Sequence, residues 1–333
     1  MRIFVTGASG FVGRAFLSAT VDKHILSAMS RSEMSDKKII ETGATPIRCS
    51  LDDVSAEHMA GVDAVVHAAA YMERWGTSHD YWRTNVEGTK RLLAEAKKAG
   101  VKRFIHIGTE AVLLRGQSLV NVDETYPLAL NSPFFYSRTK AHAELAVRKA
   151  NDPANSFESI VLRPRFVWGP GDQRLLPNLR RMSTTNQFIW VDGGSHKTST
   201  TYIGNLTYAI ELALTQGQGG EAYFVHDDGG AVAFRDFLPK LASAAGFELK
   251  GTDVPGWLLR ALAFGAEKAY RLKLLYQAPP ISRFNVNVFS RDCILIDAKA
   301  RREMGYAPPV SREAGLNALA ASTQSVTPPP PER

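Results

Sequence analysis

The eight residues Thr6-Gly7-Ala8-Ser9-Gly10-Phe11-Val12-Gly13 constrain this chain more than any other segment. They follow an apolar run at residues 3–5 and precede a helical pattern, so the glycines fall as GxxGxxG between a strand and a helix. In that place the first glycine permits a tight turn and the second lets backbone approach a pyrophosphate. The third allows the helix to pack closely on the strand, and the helix N-terminus offers its free N–H groups to phosphate oxygens. The segment therefore predicts a dinucleotide site built on Gly7, Ser9, Gly10, Phe11, Val12 and Gly13. A turn that is merely tight is the plainer alternative, and the βαβ setting argues against it.

The rest of the first half supplies that setting. Strand signals at 2–6, 24–29, 45–49, 64–67, 103–108 and 159–163 alternate with helical patterns at 11–20, 32–42, 81–99 and 136–150. Several of the strands are short continuous apolar runs, as in parallel strands buried on both faces. Gly43 and Gly100 stand where helices would end. The expected fold is α/β: a doubly wound parallel sheet, or Rossmann fold, over residues 1–165, completed by later segments. Beyond residue 166 the rhythm weakens. Short strands (188–191, 222–226) and helices (204–215, 234–245, 255–276) predict a smaller mixed lobe over 166–324 that binds substrate. The polar, proline-rich end, 325–333, is expected to be a disordered tail.

Composition bounds the partners. Of 333 residues, 44% are hydrophobic and 22% charged, which fits a folded globular chain and excludes a wholly disordered one. The net charge of +7 suits anionic small ligands, a membrane surface or nucleic acid alike. No recognised nucleic-acid motif accompanies it, so no nucleic-acid partner is expected. Cys49 and Cys293 form no CxxC pattern, which argues against a disulfide framework or a metal site and fits a reducing, cytoplasmic location. No window has the ~18 apolar residues of a spanning helix. Residues 257–276, WLLRALAFGAEKAYRLKLLY, mix Trp, Leu and Phe with basic residues. Membrane-surface contact is one reading of them. A helix packed on the domain or covering its cleft is the preferred one.

Two further sites carry chemistry. At the end of the second strand, where NAD sites place an acid on the ribose 2′-hydroxyl, the chain reads Ser30-Arg31. No carboxylate there would repel a 2′-phosphate and Arg31 could pair with it, with Arg14 as a further cation. NADP(H) is therefore preferred, with NAD(H) as the alternative. Tyr136 and Lys140 are four apart on a predicted helix and share a face. A nearby ammonium is expected to lower the phenol pKa, making the pair able to pass a proton to or from an alcohol. Thr109, at the end of the fifth strand, places a hydroxyl at the ligand-binding edge of the sheet.

Taken together these segments resemble the short-chain dehydrogenase/reductase superfamily in its extended form. The carrying residues are TGASGFVG (6–13), DAVVHAAA (63–70), NVEGT (85–89), IHIGTEAV (105–112), YSRTK (136–140) and LRPRFVWGPGD (162–172). Within it, TTYIGNLTYAI (200–210), PPISRFNV (279–286) and AKARREMGYAPPVS (298–311) resemble the 3β-hydroxysteroid dehydrogenase branch, which includes reductases of 2-alkyl-3-oxoalkanoates. The resemblance implies Tyr136 as general acid/base, Lys140 as holder of the nicotinamide ribose and Thr109 as the residue orienting the substrate oxygen. It implies Asn85 as a structural partner of the site, and places Leu51, Ala68, Ala69, Pro164, Phe166 and Val167 beside the cofactor. It also implies a homodimer. Two departures stand out: Ser50-Leu51 replaces the usual Gly-Asp-Leu near adenine, and Gly108 replaces the first of two hydroxyl residues on strand five.

The implied activity is ketone–alcohol interconversion by hydride transfer. Tyr71, Trp75, Arg165, Trp168 and Tyr202 are the candidate substrate residues, and as an aromatic group they suit a bulky hydrophobic 3-oxo or 3-hydroxy compound. A nucleotide-sugar epimerase or dehydratase is the main alternative. Ala111 lacks the acid that dehydration needs, while Arg174, Arg180 and Arg181 could meet a diphosphate. A non-catalytic redox sensor is a second alternative, disfavoured by the Tyr-x-x-x-Lys pair.

Overall fold

The computed structural model describes residues 1–73, 75–272, 279 and 282–326. The first half winds as β1 (Arg2–Thr6), α1 (Phe11–Thr20), β2 (Ile25–Ser30), α2 (Glu33–Ile40), β3 (Thr45–Arg48) and β4 (Ala64–His67). It continues as α3 (Ser78–Trp82), α4 (Gly88–Lys98), β5 (Arg103–Ile107), β6 (Leu119–Val122), α5 (Phe135–Lys149) and β7 (Glu158–Pro164). After β8 (Val167–Trp168) come α6 (Leu175–Thr184), β9 (Ile189–Val191), β10 (Lys197–Thr198), β11 (Thr201–Tyr202), α7 (Ile203–Ala213) and β12 (Ala222–Val225). The chain then runs through β13 (Val232–Ala233), α8 (Phe234–Ala244), β14 (Thr252–Val254), α9 (Gly256–Arg271), α10 (Arg283–Phe289), β15 (Cys293–Leu295), α11 (Ala298–Met304) and α12 (Arg312–Val326).

Seven strands form the main sheet in the order β3-β2-β1-β4-β5-β7-β12, every pairing parallel. Alternate residues of each strand feed opposite faces. Ile3, Val5, Ala64, Val66 and Ile105 meet Phe16 and Leu17 of α1 and Leu206 and Ile210 of α7. Phe4, Val65 and Phe104 meet Leu92, Leu93 and Ala96 of α4 and Val147 of α5. Both faces of the sheet are thus covered, which is why its strands read as unbroken apolar runs. Gly43 and Gly100 adopt φ of 82° and 76° just past α2 and α4, the left-handed step that ends a helix.

The sheet divides its strands unevenly along the chain. β12 joins the main sheet from the second half, while β6, from the first half, joins a four-stranded mixed sheet ordered β13-β10-β15-β6. A separate core of Trp168, Leu176, Leu179, Trp190, Tyr202, Phe234, Phe237 and Leu241 fills the second lobe.

Two helices differ from expectation. The pattern at 81–99 predicts one helix, but the chain forms α3, a π-helical turn at Arg83–Glu87, and then α4. A π turn adds a residue per bond and is common at functional sites; here it carries Asn85, buried against α5. The helix expected to 276 runs as α9 to Arg271, and residues 273–276 lie outside the described residues. Of the expected tail, residues 325 and 326 extend α12, and 327–333 lie outside the described residues.

Candidate active site

The glycine loop is packed so tightly that only hydrogen fits at its first and third glycines. A Cβ on Gly7, whose φ is +69°, would lie 2.6 Å from the carbonyl carbon of Ala68 and from the nitrogen of Ala69. A Cβ on Gly13 would lie 2.4 Å from the Gly7 oxygen. Gly10 is exposed and takes the N-cap position of α1 without a side-chain cap, so the first-turn N–H groups stay open. Ala68 and Ala69, at the end of β4, close the other side of the loop. An open helix N-terminus behind a cradle with no room for side chains fits a pyrophosphate.

At the outer edge, Ser30 is buried and its hydroxyl donates to the Ser32 carbonyl at 3.2 Å. Arg31 is exposed, and among the described residues no hydrogen bond or ion pair holds it. Arg48, paired in register with Ser30 across β2 and β3, is a cation the sequence reading missed; it forms an ion pair with Asp36 of α2. Leu51 is buried where a Cβ on Gly88 would touch it at 2.9 Å, and Ser50 bonds the Asp53 carboxylate instead of supplying one. Gly108 has a steric reason: a Cβ there would meet Val161 Cγ1 at 2.8 Å and the Leu162 oxygen at 3.1 Å.

Beneath the cofactor edge runs a buried polar chain. Thr89 donates to the Asn85 carbonyl at 2.7 Å, so its oxygen must accept from His67 Nε2, 2.9 Å away. That leaves His67 Nδ1 to accept from the Thr6 hydroxyl at 2.7 Å, and Thr6 in turn accepts from the Ala69 N–H at 3.3 Å. Burial first, and then the Lys140 charge, hold His67 neutral with its pKa at about 3. His106 stacks beside it at 5.1 Å and is held neutral by the same two causes, with His67 as a third. Its Nε2 lies 3.1 Å from Lys140 Nζ, which also donates to the Ile107 carbonyl at 2.8 Å.

α5 projects Tyr136 and Lys140 to different depths. Burial lowers Lys140 to about 8. Tyr136 is raised from its ordinary value, by burial first and by the Glu110 carboxylate second, against the lowering effect of the adjacent Thr109 side chain. The expected lowering by Lys140 is absent because that ammonium turns to Ile107 and His106. Thr109 donates to Glu110 at 2.8 Å and accepts from the Ala111 N–H at 3.2 Å. The other oxygen of Glu110 takes the Arg165 guanidinium, which also donates to Thr198 at 3.0 Å and Val288 at 3.3 Å.

Tyr136 opens onto a cavity of about 410 Å³ lined by Trp75, Tyr81, Phe134, Phe135 and Phe284, with Glu73, Arg174, Glu267 and Arg271 as its charged residues. The Phe284 ring stands edge-on to Tyr136 at 5.5 Å. Sequence reasoning offered a helix over the cleft at 257–276, and Glu267 and Arg271 of α9 do line the cavity, but Phe284 was reached only through the resemblance at 279–286. Asn85 holds the cavity wall in place: it accepts from the Tyr71 N–H at 2.7 Å and donates to the Tyr71 carbonyl and to Thr139 of α5, each at 3.1 Å. Tyr71 packs edge-on against Tyr81 at 5.0 Å. Trp75 donates to the Pro279 carbonyl at 3.1 Å.

The structure does not bring every candidate to the cavity. Arg165 is neutralised inside the protein by Glu110. Trp168 is fully buried and donates to Asp227 at 2.9 Å, and Tyr202 packs against it. Pro164 ends β7 and Val167 follows in β8, pairing with Thr201, while Phe166 between them takes a φ of +46°.

Over residues 4–255 the chain matches the family described as "3-beta hydroxysteroid dehydrogenase/isomerase family". The chain belongs to this family. As a 3-beta hydroxysteroid dehydrogenase/isomerase family member of the extended short-chain dehydrogenase/reductase type, it is an NAD(P)-dependent oxidoreductase. It is 41% identical, over 96% of both chains, to a 4-hydroxy-2-methyl-3-oxo-4-farnesyl-3,4-dihydroquinoline-1-oxide ketoreductase of Stigmatella aurantiaca. It is 34% identical to a 2-alkyl-3-oxoalkanoate reductase of Stenotrophomonas maltophilia, over 97% of this chain and 99% of that one. In fold, this family member is similar to the UDP-glucuronic acid 4-epimerase of Bacillus cereus solved with NAD. The TM-score is 0.74 at 19% identity, over 98% of this chain and 99% of that one.

Proposed function

We propose that this enzyme is an NADPH-preferring ketoreductase of a bulky hydrophobic 3-oxo substrate, giving the 3-hydroxy product. The observation that carries the reading is the Tyr136 phenol facing a cavity walled by Trp75, Tyr81, Phe134, Phe135 and Phe284. Such an aromatic wall binds apolar surface beside the phenol, which would fix a carbonyl oxygen, while Glu73, Arg174, Glu267 and Arg271 make the rest of the lining charged. The two relatives reported above are named for reducing a farnesyl-bearing 3-oxo compound and 2-alkyl-3-oxoalkanoates, which supports the same class. Of the three cations that could meet a sugar diphosphate, Arg174 pairs with Glu73 at the surface and Arg180 donates to the Ala245 carbonyl while stacking on Phe247, which leaves Arg181 exposed.

The residues that would hold the dinucleotide are Gly7, Ser9, Gly10, Phe11, Val12 and Gly13 at the pyrophosphate, with Ala68 and Ala69 opposite. Arg31 would meet the ribose 2′-phosphate, and Lys140, Pro164 and Val167 the nicotinamide end. Bound there, the cofactor supplies a hydride to the carbonyl carbon. Tyr136 donates its phenolic proton to the carbonyl oxygen. Like any tyrosine it is protonated at neutral pH, the state from which a proton can be given to the developing alkoxide. Thr109, whose hydroxyl donates to Glu110, would turn that hydroxyl to the carbonyl oxygen when a ketone binds and so orient the substrate. Asn85 is a positioning residue that ties Tyr71 to α5.

The experiment is a fluorescence titration with NADPH and NADH, followed by nicotinamide absorbance with 2-alkyl-3-oxo acids, steroid ketones and UDP-sugars. Ketone-dependent NADPH oxidation that disappears in Tyr136→Phe is the expected result. Turnover of a UDP-sugar alone would overturn it.

A further inference from the structure

A row of polar residues crosses the C-terminal end of the main sheet. Thr6 of β1, His67 of β4 and His106 of β5 are in register, and the two imidazole rings stand 5.1 Å apart. His67 is locked by bonds at both ring nitrogens, to Thr6 and to Thr89. His106 is 1% exposed, and its Nε2 lies 3.1 Å from the Lys140 ammonium. Its Nδ1 meets no hydrogen-bond partner among the described residues. Among those residues no carboxylate bonds Lys140 either. Glu144, the acid one turn along α5, gives both oxygens to Arg163. A buried ammonium is therefore held by two neutral acceptors, the His106 ring and the Ile107 carbonyl.

We propose that His106 is a positioning residue for the reaction: its Nε2 accepts a hydrogen bond from Lys140 and so aims the ammonium at the nicotinamide ribose. The inference rests on the assignment of Lys140 to that end of the cofactor. An ammonium carries three N–H donors on a rotor. Ile107 and His106 take two of them and fix the rotation, which leaves the third for a ribose hydroxyl. An ammonium has no lone pair, so His106 must keep Nε2 bare and carry its hydrogen on Nδ1. His67 must do the reverse, since its Nε2 donates to Thr89 and its Nδ1 accepts from Thr6. The two neighbouring rings therefore hold opposite tautomers. The Lys140 charge depends on the same bonds, because a hydrogen bond accepted from the charged form favours that form. The ionisable groups facing Lys140 are His67 and His106 of the sheet and, on its own helix, Glu144 with its partner Arg163. Of these only Glu144 carries a charge that favours the ammonium, and burial outweighs it.

The test pairs nitrogen NMR of the imidazole rings in the full-length protein with fluorescence titrations of dinucleotide across the Lys140 value of about 8. The titrant is whichever of NADPH and NADH binds tighter, so a wrong cofactor preference leaves the test intact. Expected in the parent is a neutral histidine in the Nδ1–H form whose signal His106→Gln removes, beside His67 in the Nε2–H form. Dinucleotide should bind the parent less tightly as pH rises past about 8, where the ammonium is lost. His106→Leu removes the acceptor and should bring that loss in about one to two pH units lower, the worth of one hydrogen bond to a charged group. At pH about 8 it should then bind roughly tenfold more weakly than the parent, with the gap closing as pH falls. His106→Gln, whose side-chain oxygen can accept in place of Nε2, should restore the parent profile. A merely structural loss would weaken binding equally at every pH. His106 in the Nε2–H form overturns the proposal, and this is read on the parent, so it decides even if His106→Leu does not fold. A His106→Leu profile that matches the parent or runs parallel to it, where Lys140→Met binds weakly, overturns the proposal alone. Lys140→Met binding as tightly as the parent overturns the ribose assignment, and the proposal with it.

Discussion

Gly13→Ala tests whether the α1 N-terminus is the phosphate site. The new methyl carbon would sit 2.4 Å from the Gly7 oxygen, 2.7 Å from Ala8 Cα and 2.8 Å from the Gly7 carbon. All three are backbone atoms, so no side chain can swing aside. Relief requires α1 to lift off the loop, and Phe16 and Leu17, fully buried on the same helix, resist that movement. Overpacking of this kind costs about 1–3 kcal/mol, a few degrees of Tm in a chain of this size. The larger effect falls on binding. Hydrogen bonds to charged groups are worth about 1.5–3 kcal/mol each; misplacing one or two first-turn N–H donors should weaken NADPH binding roughly ten- to a thousandfold. Gly100→Ala is the control. Its φ is +76° with nothing within 4 Å, so it should lose about 1–2 kcal/mol through backbone strain alone. The two variants then have comparable Tm losses, and only Gly13→Ala loses affinity. Fluorescence titration and thermal denaturation measure both. NADPH binding by Gly13→Ala as tight as by the parent chain would refute the argument, whatever the Tm.

Three other outcomes follow from the same geometry. Arg31→Glu should weaken NADPH binding by roughly ten- to a hundredfold, the worth of a charged contact to the 2′-phosphate, and barely move NADH; an unchanged ratio in parallel titrations would remove Arg31 from the cofactor site. Lys140 sits at about 8 when folded and at its ordinary value of 10.5 when unfolded, so between these pH values the unfolded chain binds more protons and stability rises with pH. The penalty is complete below pH about 8 and amounts to about 3 kcal/mol; urea unfolding should show the parent gaining on Lys140→Met by that order from pH 8 to 10, and a constant difference would contradict it. Glu144 and Arg163 are both fully buried as an ion pair, so Glu144→Ala should cost about 3–5 kcal/mol in urea unfolding by stranding the guanidinium. Glu144→Leu, Arg163→Met together should recover most of that loss, and failure to recover would point to packing in place of charge.

What could be read from the sequence depended on how far each signal reached along the chain. β4 at Ala64–His67 and α1 at Phe11–Thr20 lie where their patterns place them, because a strand buried on both faces and a helix entered from glycine are written in consecutive residues. The second lobe is written differently. β10 and β13 are two residues each and pair with one another across more than thirty positions, and β15 joins β6 from the other half of the chain. Strands this short leave no period to detect, and long-range pairing alone defines them.

The same distinction explains the candidate site. Tyr136 and Lys140 are one helical turn apart, so their common face was legible, but their electrostatics were not. What tunes the phenol is Glu110 on the β5 edge, and what occupies the ammonium is His106 and a main-chain carbonyl. Spacing places two side chains on one face; it does not show which of them the remaining elements will approach. Arg165 makes the point more sharply. A strand-end arginine next to an aromatic segment reads as a ligand for substrate until Glu110, 55 residues earlier, is folded against it and takes its charge. A buried arginine requires a carboxylate in reach, so Glu110 in the Thr-Glu-Ala run was a visible clue that its acid had a structural partner. Phe284 left no such clue in local pattern, and the pattern at 257–276 offered a helix over the cleft without showing which of its residues would reach the cavity. Their place at the cavity follows from which face of the second lobe is left bare, and that is decided by packing.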